Sequence, residues 1–377
     1  MVDNFKHLEN KKIGIIGATG FVGGRLFELF KKNNINPRIL VRNFSKSAEL
    51  SVYDHSDFYG DLLNRQELEK FINGLDICFN CAHDFTESQE NMLKGIQNLV
   101  ELCLVNNTKI IHLSSVAVHE PFQISNNTID ENSKFCDNTN IYGSIKLAIE
   151  KLLIEYQKNK NLDLVIFRPT NIYGPKSKAW TIGPCNKLLS GEVILTEKSK
   201  KSINNLIYVD DVCSYMINST KYIFMEESIF LINGPDSNVS WYDFYDIYQK
   251  ILKKNSLIIK DEKIILKDNR NFLKFLINGF KNISMYNDNK ITSFIIENLK
   301  KLPNNIKSKL KIFQKDFSSK LGKPIFYPNM KEIQDYRSTS YVNSDKAAKF
   351  FNFTPTSFKQ GMVKTKDFIE WYFEKLN

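Results

Sequence analysis

The sequence lacks any long apolar run, and it has few cysteines. No stretch of about 18 consecutive apolar residues occurs among its 377 residues, which predicts that no transmembrane helix is present. The polar segment Met1–Lys12 also lacks the apolar stretch of a secretory signal peptide. The six cysteines are scattered along the chain. We therefore expect a soluble cytoplasmic protein with reduced thiols rather than a disulfide framework.

A metal site is not expected either. Cys78 and Cys81 form a CxxC pair that His83 follows, but no second cluster of ligands accompanies them. The segment is typical of a buried strand, in which positions three apart face opposite sides.

The formal net charge of +10 is concentrated in one segment. Residues 251–330 contain 17 Lys+Arg and 6 Asp+Glu, so the rest of the chain is nearly neutral. A nucleic-acid-binding protein would carry its basic residues more widely, and we expect no nucleic-acid partner.

Apolar strands alternate with helical patterns over the first half of the chain, and no internal repeat is present. This order predicts an α/β protein with a doubly wound parallel sheet of the Rossmann type. The predicted strands are 12–17, 37–42, 76–80, 109–113 and 162–167, and the predicted helices are 21–32, 64–72, 87–106 and 140–158. Sheets of this kind bind ligands at the carboxyl ends of their strands.

A GxxGxxG pattern, Gly17–Gly23, follows the first strand and opens the first helix. Gly17 permits a tight turn, Gly20 lets the backbone approach a pyrophosphate, and Gly23 allows close packing of helix and strand. The strand–turn–helix context predicts a dinucleotide site.

The end of the second strand bears on the choice between NAD and NADP. An acidic residue at this place binds the ribose 2′-hydroxyl of NAD, whereas the strand here ends in Arg42, which could pair with a 2′-phosphate. We therefore predict NADP, with NAD as the alternative.

Tyr142 and Lys146 form a YxxxK pattern within a predicted helix. Positions i and i+4 share a helix face, so an ammonium would stand beside a phenol. We expect this neighbour to lower the phenol pKa from about 10 and to enable proton exchange with a substrate hydroxyl or carbonyl.

Taken in order, these motifs resemble the extended short-chain dehydrogenase/reductase family, which includes nucleotide-sugar epimerases and dihydroflavonol-reductase-like enzymes. The matches are dense over residues 12–234 and looser over 341–373. They are GATGFVGG at 17–24, GDL at 60–62, HLSSVAV at 112–118, YGSIKLAIE at 142–150, FRPTNIYGP at 167–175, YVDDV at 208–212 and ING at 232–234.

The resemblance implies a role for each matching residue. Ser115 corresponds to the serine that hydrogen-bonds the reacting oxygen, Tyr142 to the general acid/base, and Lys146 to the lysine that tunes it. The implied cofactor contacts are Gly17, Gly20, Phe21, Val22, Gly23, Arg42, Asp61, Leu62, Cys81, Ala82, Tyr142, Lys146, Pro169 and Asn171. The candidate substrate contacts are His83, Ser115, Asn171, Lys200, Lys201 and Arg337.

Two residues bear on which reaction the enzyme catalyses. Dehydratases in the family that this chain resembles place an Asp-Glu pair just after the serine, where this chain has Val116 and Ala117. A 4,6-dehydratase is therefore disfavoured. We expect either epimerisation or net reduction of a nucleotide-activated sugar in surface-polysaccharide synthesis, or NADPH-dependent reduction of a small hydrophobic ketone or sterol-like substrate. A regulator that senses NADP is disfavoured because Tyr142 and Lys146 are both present.

The resemblance also predicts the domain organisation. Residues 1–175, with 205–234 contributing, form the dinucleotide-binding domain, and 176–377 form a smaller, mixed substrate-binding domain. The latter includes the basic insertion 251–330, interpreted as helices that cap the substrate cleft or, through 255–330, bind weakly to a membrane surface. Helices 87–106 and 140–158 resemble those that pair in family dimers, so we expect a homodimer.

Overall fold

The computed structural model describes residues 5–50, 52–53, 56–84, 86–120, 127–137, 140–226, 228–236, 238–270 and 324–375. The cap helices expected within the basic insertion 251–330 fall largely outside the described residues, because the description omits 271–323. The chain divides into two compact units. The first comprises Met1–Thr181, Ile203–Val239 and Thr339–Trp371, and the second comprises Ile182–Ser202, Ser240–Ser338 and Tyr372–Asn377. Residues 339–371, assigned to the second domain from the sequence, thus fall in the first unit.

A seven-stranded parallel sheet forms the centre of the first unit as described, in the order β11-β7-β5-β4-β1-β2-β3. Its strands are β1 (Ile13–Ile16), β2 (Arg38–Val41), β3 (Ser56–Tyr59), β4 (Ile77–Asn80), β5 (Lys109–Leu113), β7 (Leu164–Pro169) and β11 (Ile229–Ile232). Strands β1, β4, β5, β7 and β11 are buried along their whole length. Burial on both faces explains why these strands appear in the sequence as nearly continuous apolar runs.

Helices cover both faces of this sheet. The helices of the unit are α1 (Phe21–Lys32), α2 (Phe44–Ser47), α3 (Arg65–Ile72), α4 (Gln89–Val105), α5 (Ile141–Lys160), α7 (Val209–Asn218), α11 (Asp345–Phe351) and α12 (Phe358–Glu374). On one face, α3, α4 and α5 share an apolar core with the strands. On the other face, Phe30 of α1 packs on Phe79, and Tyr215 of α7 packs on Phe167. The predicted doubly wound fold is confirmed.

Two short parallel pairs extend the unit beyond the main sheet. They are β8 (Asn171–Tyr173) with β10 (Leu206–Tyr208), and β6 (Thr128–Ile129) with β14 (Tyr341–Val342). The first pair begins directly after β7, so it continues the chain from the carboxyl edge of the sheet.

The second unit contains a three-stranded parallel sheet in the order β12-β9-β13. Its elements are α6 (Gly183–Ser190), β9 (Glu192–Thr196), α8 (Trp241–Ile251), β12 (Leu257–Lys260), α9 (Glu262–Arg270), β13 (Ile325–Phe326) and α10 (Met330–Asp335). Ile194, Ile265 and Ile333 form its small buried core. Among the described residues of the whole chain, no helix combines the length and the apolar character that crossing a bilayer requires.

Candidate active site

In the glycine turn after β1, neighbouring backbone segments pack against each other without intervening side chains. Gly17 has a φ of +85°, and its carbonyl accepts a hydrogen bond of 2.9 Å from Gly20 N. A Cβ on Gly17 would stand 2.8 Å from Ala82 N, and one on Gly23 would stand 2.2 Å from Gly17 O. Because Gly20 is the N-cap of α1 and has no side chain, the first amides of α1 keep their capacity to bind an anion.

Three charged side chains meet where β2, β3 and β4 end. Arg42 Nη1 lies 2.5 Å from Asp84 Oδ2, and Arg42 Nε lies 3.8 Å from Asp61 Oδ2. Asp61 Oδ1 accepts a hydrogen bond from Leu63 N, and the neighbouring Leu62 packs against the apolar core. The predicted cofactor residues Arg42, Asp61 and Leu62 are therefore neighbours, and Asp84 joins them.

The turn after β4 is fixed from within the sheet. The buried Asn80 accepts a hydrogen bond of 3.3 Å from Ala82 N through Oδ1. Its Nδ2 lies 3.2 Å from Nδ1 of His112, the residue opposite it on β5. Burial holds the pKa of His112 well below its usual value, with the Lys146 charge acting in the same direction. Neutral His112 and Asn80 thus support the Cys81–Ala82 turn that borders Gly17.

Helix α5 is attached directly to the segment that follows β5. Its N-cap Asn140 accepts from Gly143 N through Oδ1 and donates to Ala117 O through Nδ2, both at 3.0 Å. A Cβ on Gly143 would lie only 2.0 Å from Ala117 O, so the helix could not approach this closely with a larger residue there. These contacts set the position of Tyr142 relative to Ser115.

Tyr142, Ser115 and His83 form one contiguous group. The Ser115 hydroxyl hydrogen-bonds the Tyr142 phenol. The His83 ring lies edge-on to the Tyr142 ring, with 4.9 Å between ring centroids and an interplanar angle of 88°. Burial and, to a smaller extent, the Lys146 charge lower the pKa of His83 to about 4, so the imidazole is neutral at pH 7.

Lys146 is buried on the same helix, with 3% of its surface exposed. Its Nζ donates a hydrogen bond of 2.9 Å to Leu113 O at the end of β5. Burial lowers the pKa of this ammonium to about 8, against the opposing effects of Cys81 and Glu150.

The expected lowering of the tyrosine pKa is not what the structure shows. Burial of the phenol raises the pKa of Tyr142, and the Ser115 hydrogen bond only opposes this rise. The spacing of Tyr142 and Lys146 indicates only the effect of the neighbouring charge, whereas the loss of water around the buried phenol acts in the opposite direction. At neutral pH Tyr142 is therefore a protonated acid.

The end of β7 holds the remaining predicted residues of the first unit. Pro169 is buried, and Asn171 Nδ2 donates to Asn204 Oδ1 at 3.0 Å. The preceding Arg168 is a structural residue: it is 1% exposed, and its Nη2 lies 2.6 Å from Oε2 of the equally buried Glu150. This ion pair ties β7 to α5.

Three predicted substrate residues belong to the second unit. Arg337 is hydrogen-bonded to the carboxylate of Glu262, so its guanidinium is already engaged. Lys200 lies 3.3 Å from Glu197, and Lys201 is exposed. Their role toward a substrate stays a prediction.

Several positioning residues were not predicted from the sequence. Asn140 carried a recognisable signal, because Asn is a preferred N-cap at the start of a helix. The contacts of Asn80, His112 and Glu150 could not be predicted, since they depend on partners in other elements.

Comparison with known proteins decides the family. Residues 13–221 match the model of the NAD dependent epimerase/dehydratase family. The chain belongs to this family. The resemblance inferred from the motifs is thereby confirmed.

Members of the family with different named activities are similar to this chain. It is 28% identical over 243 residues to dTDP-D-glucose 4,6-dehydratase of Dictyostelium discoideum, covering 56% of each chain. It is 26% identical over 189 residues to cinnamoyl-CoA reductase 1 of Petunia hybrida, covering 45% of this chain and 57% of that one. The chain thus matches little more than half the length of these relatives.

The fold is also that of solved family structures. The NAD complex of UDP-glucuronic acid 4-epimerase from Bacillus cereus superimposes with a TM-score of 0.64 at 16% identity, over 96% of this chain and 99% of that one. At this identity the similarity establishes the fold alone.

Proposed function

We propose that this chain is an NAD(P)-dependent enzyme that transfers hydride at a sugar carbon of a nucleotide-activated sugar, with Tyr142 as acid/base. The observation that carries the proposal is the ring contact between Tyr142 and neutral His83, with Ser115 beside the phenol and Lys146 buried on the same helix. These groups lie at the carboxyl ends of β4 and β5. The turn after β4 borders the glycine turn, where a Cβ on Gly17 would meet Ala82 N.

The residues present fit a dinucleotide. In the Gly17–Gly23 turn, Gly17 and Gly23 have no room for a Cβ, so the backbone itself is open to a ligand. The start of α1, which no side chain caps, suits a pyrophosphate. Arg42, Asp61 and Leu62 would hold the adenosine half, and Ala82, Pro169 and Asn171 would lie along the rest. When bound, the nicotinamide supplies or accepts the hydride.

The chain's own residues manage the proton. The raised pKa of Tyr142 keeps a proton on the phenol at pH 7, so the phenol suits donation to a carbonyl oxygen. Ser115 donates or accepts at the same oxygen, and it is held by a hydrogen bond of 3.2 Å from Ala117 N. Lys146 supplies a positive charge that stabilises the phenolate formed when the proton leaves.

The residues after Ser115 favour epimerisation or reduction over dehydration. Val116 is 9% exposed. The backbone of Ala117 is engaged at both polar groups: its carbonyl accepts a hydrogen bond from Asn140 Nδ2, and its N–H donates to Ser115 Oγ. Neither side chain can exchange a proton, which water elimination would require. The product sugar would serve surface-polysaccharide synthesis.

A second candidate is NADPH-dependent reduction of a small hydrophobic ketone or a sterol-like compound. The similarity to a cinnamoyl-CoA reductase favours it. So does the stretch Lys200–Asn205 before Tyr208, where many family members that act on nucleotide sugars have an arginine and this chain offers only Lys200 and Lys201 as cations. We further propose a homodimer, which gel filtration at micromolar concentration would test.

The deciding experiment combines native mass spectrometry with a substrate screen. Purified protein is first weighed for retained dinucleotide and then assayed with nucleotide sugars and, separately, with hydrophobic ketones, each with NADH and NADPH. Retained NAD and conversion between epimers support the first function. Consumption of NADPH with a ketone supports the second.

The role of Tyr142 has its own test. We expect Tyr142→Phe to lower turnover at least about 100-fold with little change in dinucleotide affinity, because only the acid/base group is lost. Tyr156→Phe, on the same helix but bonded to Glu101, is the matched control and should keep full turnover. Near-normal turnover of Tyr142→Phe would remove the phenol from the mechanism.

A further inference from the structure

We propose that Asp84 makes this chain select NAD over NADP by holding the guanidinium of Arg42. The inference rests on the proposed function, because it assumes that the dinucleotide's adenosine half lies at Arg42. It also reverses the expectation drawn from Arg42 in the sequence. The carboxylate that decides the matter is distant from Arg42 in sequence, in the loop after β4.

Asp84 is held in place for this task. Its Oδ1 accepts two hydrogen bonds from Thr86, at 2.8 Å from the backbone N and 2.6 Å from the hydroxyl. Its Oδ2 is therefore left to face Arg42 Nη1. The Thr86 hydrogen bonds and then Arg42 hold the pKa of Asp84 well below its usual range, so it is charged at every relevant pH.

Asp61 adds a second carboxylate on the other side of Arg42. Its Oδ1 is engaged by Leu63 N, while Oδ2 lies 3.8 Å from Arg42 Nε. Two carboxylates around one guanidinium give the cluster a net charge of −1. The cluster therefore repels a 2′-phosphate, whereas the neutral 2′-hydroxyl of NAD carries no such penalty.

An arginine without these partners would act differently. It could turn both of its donor faces to a phosphate and form a bidentate pair. Here that pair requires Arg42 to leave Asp84, and the phosphate must then approach both carboxylates. The selection of NAD over NADP by charge thus depends on the three loops that follow β2, β3 and β4.

The test is equilibrium binding of NAD and NADP by isothermal titration calorimetry, which needs no substrate. The wild type should bind NAD at least about tenfold more tightly than NADP. Asp84→Asn keeps Oδ1 for Thr86 but puts an N–H donor opposite Arg42. It should tighten NADP binding about tenfold and change NAD binding less than about threefold.

Glu87→Gln is the matched control, since it removes a charge from the same loop at a residue bonded to Asn91 rather than to Arg42. It should leave both affinities unchanged. Wild-type preference for NADP, or an Asp84→Asn variant with an unchanged NADP to NAD ratio, would overturn the inference alone. Failure of the wild type to bind either dinucleotide would overturn the proposed function, and this inference with it.

Discussion

Lys146 should cost the protein stability while serving its chemistry. The residue is 3% exposed, and its Nζ donates a hydrogen bond to the carbonyl of Leu113. Burial lowers its pKa from 10.5 to about 8 in the folded chain. Below pH 8 the ammonium is charged in both states, so folding must remove a charged group from water. Replacing it with methionine, which is similar in length and apolar, removes this cost.

The pH dependence of the effect follows from proton linkage. Between pH 8 and 10.5 the unfolded chain binds the Lys146 proton more tightly than the folded chain, so the wild type gains stability as pH rises. For these two pKa values the gain between pH 7 and pH 9.5 is about 2 kcal/mol. Lys146→Met lacks this titration, and its free energy of unfolding should change with pH by about 2 kcal/mol less.

Urea unfolding of both proteins at pH 7, 8 and 9.5 measures this difference. Lys151→Met, an exposed position on the same helix, is the control and should follow the wild type. Turnover of Lys146→Met should fall at least about 100-fold at the same time. Parallel pH profiles of stability for wild type and Lys146→Met would refute the reasoning.

Two further substitutions test the glycine turn and the buried ion pair. Gly23→Ala places a Cβ only 2.2 Å from Gly17 O, so the turn must shift. Dinucleotide affinity should therefore fall at least about tenfold in a titration. An unchanged affinity would contradict this expectation. Glu150→Gln leaves the buried Arg168 without a charged partner and should lower the free energy of unfolding by about 3 kcal/mol. A loss below about 1 kcal/mol in urea unfolding would contradict the second expectation.

The central fold was predictable because burial on two faces leaves a strong pattern. The strands β1, β4, β5 and β7 are short apolar runs with helices between them, and each lies within about two residues of its predicted bounds. The edge strand β3, with sequence SDFY, was not predicted because it mixes polar and aromatic residues. Strand β11, the short apolar run Ile229–Ile232, was not predicted either, and no local signal indicates its pairing with β7, some 60 residues earlier.

The candidate site was predictable where a motif lies on one element. Tyr142 and Lys146 share a helix, and the glycine turn is one continuous segment. The Arg42 environment was not predictable, because Asp61 and Asp84 approach it from two other loops. The direction of the Tyr142 pKa also needed the structure, since it depends on how far water is excluded from the phenol.

Two buried cations of the first unit, Arg168 and Lys146, differ in how their charge is compensated. Arg168 is held by Glu150 through both of that residue's oxygens and also contacts His119 Nε2 at 3.1 Å. Glu150 stands one helical turn after Lys146, but its carboxylate is occupied by Arg168. Within the described chain no ion pair involves Lys146, whose hydrogen bond goes to a neutral carbonyl. A fold selected for stability alone would pair or replace such an ammonium. Its position one turn from a buried phenol supports the proposed stabilisation of a transient phenolate.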